Sequence, residues 1–205
     1  MSRLSNNTIG SVDIRFAETP IERDEVFRLR HRVLGSHSGA RSAGLTHANG
    51  RLLEPEDCGA QLLTAFDHEG RALAAIRRVP ILRMLDSTES LKPLRRAAES
   101  LDRDLRRITV SSRFIIDPET GGANLALRLF ASMLRVGMQE RLSHDICLCD
   151  HHRLQGRLRL GYKDLGIQMP DDRGNQQQIL ALPVVDQSSS DRPIVRLMRK
   201  VVNAA

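Results

Sequence analysis

The sequence of 205 residues has no tryptophan, one tyrosine and five phenylalanines. Proteins that read single-stranded nucleic acid stack bases on exposed rings, so this scarcity argues against that class. Cysteine is also sparse: Cys58, Cys147 and Cys149 form an odd set, two of them close together in a strand-like run. Reduced thiols rather than a disulfide framework are expected. No apolar run approaches the roughly 20 residues of a membrane span. The opening residues, MSRLSNNTIGSVDIRF, have no apolar stretch before a small-residue cleavage site, so they do not read as a secretory signal and a cytoplasmic protein is expected. The absence of a fixed-period repeat excludes solenoids and arrays.

Positive charge, by contrast, is in excess. Lys and Arg number 31 against 25 Asp and Glu, a formal net charge of +6, with 40% hydrophobic and 27% charged residues. That composition fits a globular domain with an acidic partner: nucleic acid, anionic lipid or an acidic carrier protein. The length suffices for a core without metal or disulfides. One domain is expected over 1–187, followed by a polar linker from Ser188 and a basic amphipathic helix, Ile194 to Val202. Arg196, Arg199 and Lys200 lie opposite the apolar positions of that helix, which either docks on the core or rests on an anionic membrane.

The chain reads as alternating elements, a mixed α/β plan. Val12 to Phe16 is a short β run. Thr19-Pro20 starts a helix, Ile21 to Leu34, with Ile21, Val26, Leu29, Val33 and Leu34 near one face. Ser36 to Gly50 reads as a long loop and a candidate lid. Ala60 to Phe66 and Ala72 to Val79 are antiparallel strands joined by the turn Asp67-His68-Glu69-Gly70. Leu91 to Leu105 is a basic helix, and Ile108 to Ile116 is a strand broken by Asp117 to Gly122. Asn124 to Leu142 is the clearest helix, carrying Leu125, Leu129, Met133 and Val136 beside Ala126, Phe130, Leu134 and Met138. A strand at Asp145 to Cys149, a helix at His152 to Arg159, a stop at Gly161-Tyr162 and a final strand at Gln177 to Val185 complete the plan.

The central unit, Ile108 to Leu129, is a strand, a Gly-Gly turn and a helix. Such a unit presents free backbone N–H groups and the positive end of a helix dipole, a cradle for phosphate or pantetheine amides, although packing alone also produces it. Within it, Ser111-Ser112-Arg113-Phe114 is followed by apolar residues and Asp117, downstream of a hairpin ending in Ala75-Ile76-Arg77. This run resembles the core signature of acyl-homoserine lactone synthases and the related N-acyl amino acid synthases of the GNAT superfamily. Phe27-Arg28-Leu29-Arg30 is similar to the family's first-helix motif, with its arginine at Arg30. Glu54 and Asp57 stand where the family has two acidic residues, and Arg159-Leu160-Gly161-Tyr162 resembles its Gly-aromatic helix end.

The resemblance implies an α/β (α+β) GNAT-type fold, with a central mixed, mostly antiparallel twisted sheet flanked by helices. It implies an acyltransferase that moves a fatty acyl group from an acyl carrier protein thioester, or acyl-CoA, to the amine of an amino acid or similar acceptor. The donor arm of such enzymes lies between two splayed strands, which makes Phe114, Ile115, Ile116, Gly121, Gly122, Ala123 and Asn124 the implied donor-binding positions. Arg30, Glu54, Asp57, Arg77, Ser112 and Arg113 are the implied catalytic set, organising the N-terminal lobe and the acceptor's polar head. Lactone-forming relatives have a glutamate where this chain has Val110, so either the base has moved, with Glu54, Glu56 and Asp57 the nearest candidates, or the acceptor arrives already neutral, and homoserine lactone is a less expected product. The family's tryptophan after the first helix is absent. Acetyltransferase members commonly place a tyrosine four residues before the late Gly-aromatic pair, and here that position is Arg157. Their Arg/Gln-x-x-Gly-x-Gly/Ala loop is matched at Glu119 to Asn124 only in glycine content. An acetyl-CoA enzyme acting on a small amine is the second reading, and a non-enzymatic basic module binding a carrier protein or DNA is the third.

Two other clusters have bland and sharp readings. Cys147, Cys149, His151 and His152 have zinc-suited donors but the wrong spacing for a structural finger, so a buried cysteine pair with surface histidines, and no metal, is expected. The basic stretch from Lys92 to Arg107 is either a solvated helix face or a docking patch for an acidic acyl carrier protein, steered by charge.

Overall fold

A computed structural model describes residues 12–35, 46–85, 91–120, 122–171 and 174–184. The strands are β1 (Asp13–Phe16), β2 (Thr46–Ala48), β3 (Arg51–Leu53), β4 (Gln61–Phe66), β5 (Ala72–Pro80), β6 (Ile108–Ile116), β7 (His144–Asp150), β8 (Lys163–Pro170) and β9 (Gln176–Pro183). The helices are α1 (Pro20–Leu34), α2 (Ile81–Leu85), α3 (Lys92–Leu101), α4 (Ala123–Gln139) and α5 (Leu154–Arg159). Seven strands form one sheet in the order β1-β4-β5-β6-β7-β9-β8, and every neighbouring pair is antiparallel except β6 with β7. This is the expected mixed, mostly antiparallel sheet flanked by helices.

Local chemistry sets the element ends. The amide of Glu22 donates to Thr19 Oγ1 at 3.3 Å and the amide of Thr19 donates to Glu22 Oε2 at 2.9 Å, a reciprocal cap that starts α1 at Pro20. Asp67 Oδ1 accepts from the amides of Glu69 and Arg71, and Gly70 takes φ 80°, which closes the β4–β5 turn.

Several expectations need correction. Ile21 is 79% exposed and outside the buried face of α1, which is Val26, Phe27, Leu29 and Arg30. Five residues turn a helix by about 500°, so Ile21 and Val26 cannot share a narrow stripe. Part of the expected 36–50 loop is a hairpin: β2 pairs with β3 through Asn49 and Gly50, both at positive φ (52° and 74°), as a tight two-residue turn requires. The remainder of that candidate lid, 36–45, lies outside the described residues, as do Val185, the linker from Ser188 and the Ile194 to Val202 helix. The expected Leu91 to Leu105 helix ends at Leu101, because Asp102 and Asp104 turn their carboxylates onto the amides of Asp104 and Arg106 and make a separate 3-10 turn. Helix α4 stops at Gln139, three residues before Leu142, and Arg141 adopts φ 57°. The His152 to Arg159 helix is a 3-10 turn over His151–Arg153 followed by α5.

Hydrophobic packing falls on both sides of the sheet. One face carries α4, with Leu125, Leu129, Phe130 and Met133 packed on Leu63, Ala74, Ile76, Cys147, Cys149, Tyr162, Leu180 and Leu182. The other face carries α1 over Leu62, Phe66, Ala75, Val79 and Ile115, and α2 with α3 over Ile108, Val110, Ile146 and Ile179. Cys147 and Cys149 are buried neighbours on the α4 face, as the strand period requires, while His151 and His152 are exposed.

Candidate functional site

Strand β6 is the hinge of the site. It pairs with β7 only over Ile108–Val110 against His144–Ile146, yet β6 runs on to Ile116 and β7 to Asp150. Beyond Val110 the two strands separate without a ladder between them. On its other side, β6 pairs with β5 through Ser112↔Arg77 and Ile115↔Ala75, so Arg113 and Phe114 stand opposite the single residue Ile76. This is a β-bulge, and Arg113 has φ 51° within it. A non-glycine residue in the left-handed region costs about 1 kcal/mol or more and marks functional sites when the surroundings enforce it.

The bulge decides what faces what. Ser111 contacts the α4 side through Met133 and Asp145, and Ser112 faces Arg77 on the α1 side. Strict alternation would return Arg113 to the α4 side, but the extra residue keeps it beside Ser112, where it meets Glu54. Phe114 and Ile116 then pack toward α4 and Ile115 toward α1.

On the α1 side the structure brings all six of the implied catalytic residues into one connected group. Arg30 Nη1 donates to Asp57 Oδ2 at 2.6 Å, and Arg77 Nη1 donates to Glu54 Oε2 at 2.7 Å and to Asp57 Oδ1 at 3.4 Å. Arg77 Nε donates to Ser112 Oγ at 2.9 Å. Arg113 grips Glu54 with two parallel bonds, Nε to Oε2 at 2.6 Å and Nη2 to Oε1. A 3-10 turn over Pro55–Asp57 holds the acids, with the Glu54 amide donating to Asp57 Oδ2 at 2.8 Å. Arg23 supports the same turn from α1 by donating to the carbonyls of Asp57 and Ala60.

Three guanidiniums thus surround two buried carboxylates. Burial would raise the Glu54 pKa, but the hydrogen bonds and charges of Arg113, Arg77 and Arg30 outweigh it and hold the carboxyl below its ordinary range. Burial likewise pulls Arg30 below the usual arginine value, against the opposing field of Asp57. Glu56 differs from both acids: its side chain is 49% exposed and reaches Arg77 at 3.7 Å.

The implied donor positions lie along the separation. Phe114 and Ile116 are partly buried and Ile115 is buried. Gly122 caps α4 without a side-chain acceptor, so the first turn at Ala123 and Asn124 is exposed and carries no side-chain cap. A β-carbon on Gly122 would meet nothing within 4 Å, so packing does not demand glycine there. Gly121 lies outside the described residues.

Asp145 and Tyr162 form a second buried polar group on the α4 side of β6, across the sheet from the ion-paired set, and neither is among the residues that the sequence motifs single out as catalytic or donor-binding. Asp145, at the last parallel-paired stretch of β7, accepts from Ser111 Oγ (2.6 Å), Tyr162 Oη (2.7 Å) and Thr109 Oγ1 (3.0 Å). Complete burial raises its pKa despite those hydroxyls. The alternation Thr109, Ser111 on a strand otherwise apolar was the available signal for a buried acceptor. Among the described residues, no group of three or more His, Cys, Asp and Glu is placed to hold a metal ion, and no helix is long and apolar enough to cross a membrane. A groove of about 390 Å³ between β1 and α4, lined by Ile14, Phe16, Ser132 and Arg135 among others, contains none of the candidate residues.

No protein-family model and no curated protein matches the sequence. Solved structures do match. A CoA-dependent acyl-homoserine lactone synthase, BjaI, with SAM and isopentyl-CoA, superposes at a TM-score of 0.72 and 16% identity, covering 94% of this chain and 90% of that one. The acyl-homoserine lactone synthase LasI matches at 0.63 and 11% identity, with 85% and 91% covered. FeeM, an N-acyl amino acid synthase from uncultured soil microbes, matches at 0.59 and 15% identity, with 85% and 91% covered. The chain therefore has the fold of the acyl-homoserine lactone and N-acyl amino acid synthases, the GNAT-type sheet that its motifs imply.

Proposed function

We propose that the protein is an N-acyltransferase that moves a fatty acyl group from an acyl carrier protein thioester, or from acyl-CoA, to the amine of an amino acid or similar small acceptor. The observation that carries this reading is the separation of β6 from β7 beside the ion-paired set Arg30, Glu54, Asp57, Arg77, Ser112 and Arg113. A thioester arm laid into the gap extends the β6 backbone pairing with its own amides, and the uncapped start of α4 lies past the end of β6 for the donor's phosphate.

In the reaction the amine nitrogen bonds to the thioester carbonyl carbon, the C–S bond breaks with its electron pair going to sulfur, and the ammonium proton leaves for a base. Glu54 is a poor acceptor, because Arg113 and Arg77 hold its carboxyl below the ordinary range, and the Asp57 oxygens are taken up by Arg30, Arg77 and the Glu54 amide. Glu56, exposed and loosely paired, fits the role directly or through water. The arginines fix the acids and, through Arg113 at 38% side-chain exposure, offer a cation to an acceptor carboxylate. An acidic carrier protein suits the exposed Arg96 and Arg103, whereas Arg95 lies 4.0 Å from Glu99 and Arg106 and Arg107 are already paired with Asp104 and Asp102.

The test is incubation of the protein with octanoyl-CoA, acetyl-CoA and octanoyl-acyl carrier protein in the presence of pooled L-amino acids. Free thiol and an N-acyl amino acid by mass spectrometry are expected from an octanoyl donor. Release of neither product overturns the reading, and a preference for acetyl-CoA turns it into a short-chain acetyltransferase.

A further inference from the structure

We propose that Arg157 is a catalytic cation that takes up the negative charge of the departing pantetheine sulfur in the gap between β6 and β7. The inference rests on the acyl-thioester reading above and assigns a residue to the second half of the reaction, the breaking of the C–S bond.

The other arginines of the site are engaged. Arg30 is matched to Asp57, Arg77 to Glu54 and Asp57, and Arg113 to Glu54, and all lie on the α1 side of the sheet. On the α4 side the wall of the gap is Phe114 from β6 and Cys147 and Cys149 from β7, with Tyr162 behind them. The half-buried Arg157 enters this wall from α5. Its guanidinium carbon lies 5.4 Å from the centre of the Phe114 ring and 5.9 Å from that of Tyr162. Among the described residues its side chain makes no ion pair. Ring faces hold a guanidinium without neutralising it. Because Phe114 follows the last parallel pair and α5 follows β7, this contact spans the gap itself.

The surroundings make that charge effective. The wall is largely apolar, so a charge there acts more strongly than in water. Burial pushes the Cys147 thiol up to about 12, while the field of Arg157 is the leading influence in the opposite direction, and the same holds in direction for Cys149. The other charged groups facing these thiols are Asp145, Asp150, Asp164 and Arg153. Asp145 is occupied by three hydroxyls, and Asp150 by the amide of Gln177 at 2.7 Å. A thioester sulfur entering between Phe114 and Cys147 thus meets Arg157, a cation over the Phe114 ring with no ion-pair partner among the described residues. As the C–S bond breaks, the electron pair settles on sulfur opposite that cation, and the proton released by the amine completes the thiol.

The test uses the full chain with CoA and with holo-acyl carrier protein as probes. The ultraviolet thiolate absorbance of the bound probe is titrated in wild type, Arg157→Lys and Arg157→Met, with a desulfo-CoA complex subtracted to remove Cys58, Cys147 and Cys149. In wild type the bound thiol is expected to titrate about one pH unit or more below free CoA, as for an acid beside an arginine. The shift should persist in part in Arg157→Lys and vanish in Arg157→Met. Turnover of alkyl thioesters should fall at least tenfold in Arg157→Met, while aryl thioesters, whose thiolates leave unaided, should be nearly unaffected. An Arg157→Met protein that is folded by circular dichroism, binds the probe and titrates like wild type overturns the assignment and leaves the acyl-thioester reading standing. Failure of wild type to bind either probe overturns both. If Arg157→Met does not fold, Arg157→Gln supplies the same comparison.

Discussion

Replacing Asp57 by Asn is the sharpest probe of how the site is held. The Asp57 carboxylate, 5% exposed, receives Arg30 Nη1 at 2.6 Å, Arg77 Nη1 at 3.4 Å and the Glu54 amide at 2.8 Å. Arg30 is 1% exposed, and its Nε and Nη2 have no hydrogen-bond partner among the described residues, so the amide would leave a buried guanidinium without its principal counter-charge. Removing one partner of a buried pair costs about 3–5 kcal/mol, a large share of the about 5–15 kcal/mol that stabilises an ordinary domain. At a urea slope of about 3 kcal/mol per molar, the unfolding midpoint should fall by about 1–1.7 M. Urea titrations followed by circular dichroism measure it. The double variant Arg30→Met with Asp57→Leu should recover much of the loss, since both charges are gone, and a double-mutant cycle reads the coupling. A midpoint within about 0.3 M of wild type for Asp57→Asn would mean that water or a shifted backbone compensates the guanidinium, and the electrostatic account of the site would be wrong.

Arg113→Gly relieves a positive φ while deleting the clamp on Glu54, so the fold should persist with a change in stability within about 1 kcal/mol and the proposed acyl transfer should be lost; circular dichroism and product mass spectrometry separate the two effects. Glu54 has its folded pKa depressed, so its contribution to stability is complete above the unfolded value of about 4.3 and is lost as pH falls through the lower folded value. Midpoints measured from neutral to acidic pH should show this loss in wild type, and Glu54→Gln should lack it. Asp145 has the opposite sign: its folded pKa is raised, so its contribution is complete below the unfolded value of about 3.9 and lost as pH rises through the folded one. The same titration should show Asp145→Asn gaining on wild type as pH increases, and parallel curves would contradict the burial of that carboxyl. Gly137→Ala adds a β-carbon 2.9 Å from Val184 Cγ1, so thermal unfolding should show a loss of about 1–3 kcal/mol despite the better helix propensity of alanine.

The sequence made the fold class legible because its strongest signals are periodic: α4, β4, β5 and β6 stand within a few residues of their expected positions. What it concealed follows from short range or mixed patterning. Strand β8 does alternate Leu165, Ile167 and Met169, but Gly166 at φ 67° and a register shift break the ladder, and the run resembles a loop. Helix α2 is only five residues long, too short for a helical period to show. The six catalytic candidates were named through a resemblance, and their convergence could not be read from spacing, because Arg30, Glu54 and Arg113 come from three separate elements. The alternation of Thr109 and Ser111 signals a buried acceptor on that face, but only the fold shows that the acceptor is Asp145 and that Tyr162 joins it.

The bulge in β6 has a consequence for insertions and deletions. Removing Arg113 would leave Ser111, Ser112, Phe114, Ile115 and Ile116 on the faces they already occupy, because the alternation resumes after the bulge as though that residue were not there. The sheet can be built from a β6 one residue shorter with the same core. Arg113 is thus a residue the fold does not require, threaded into a complete strand and held there by what its guanidinium grips. A single in-frame codon deletion would thus remove the clamp on Glu54 and leave the two faces of β6 as they are.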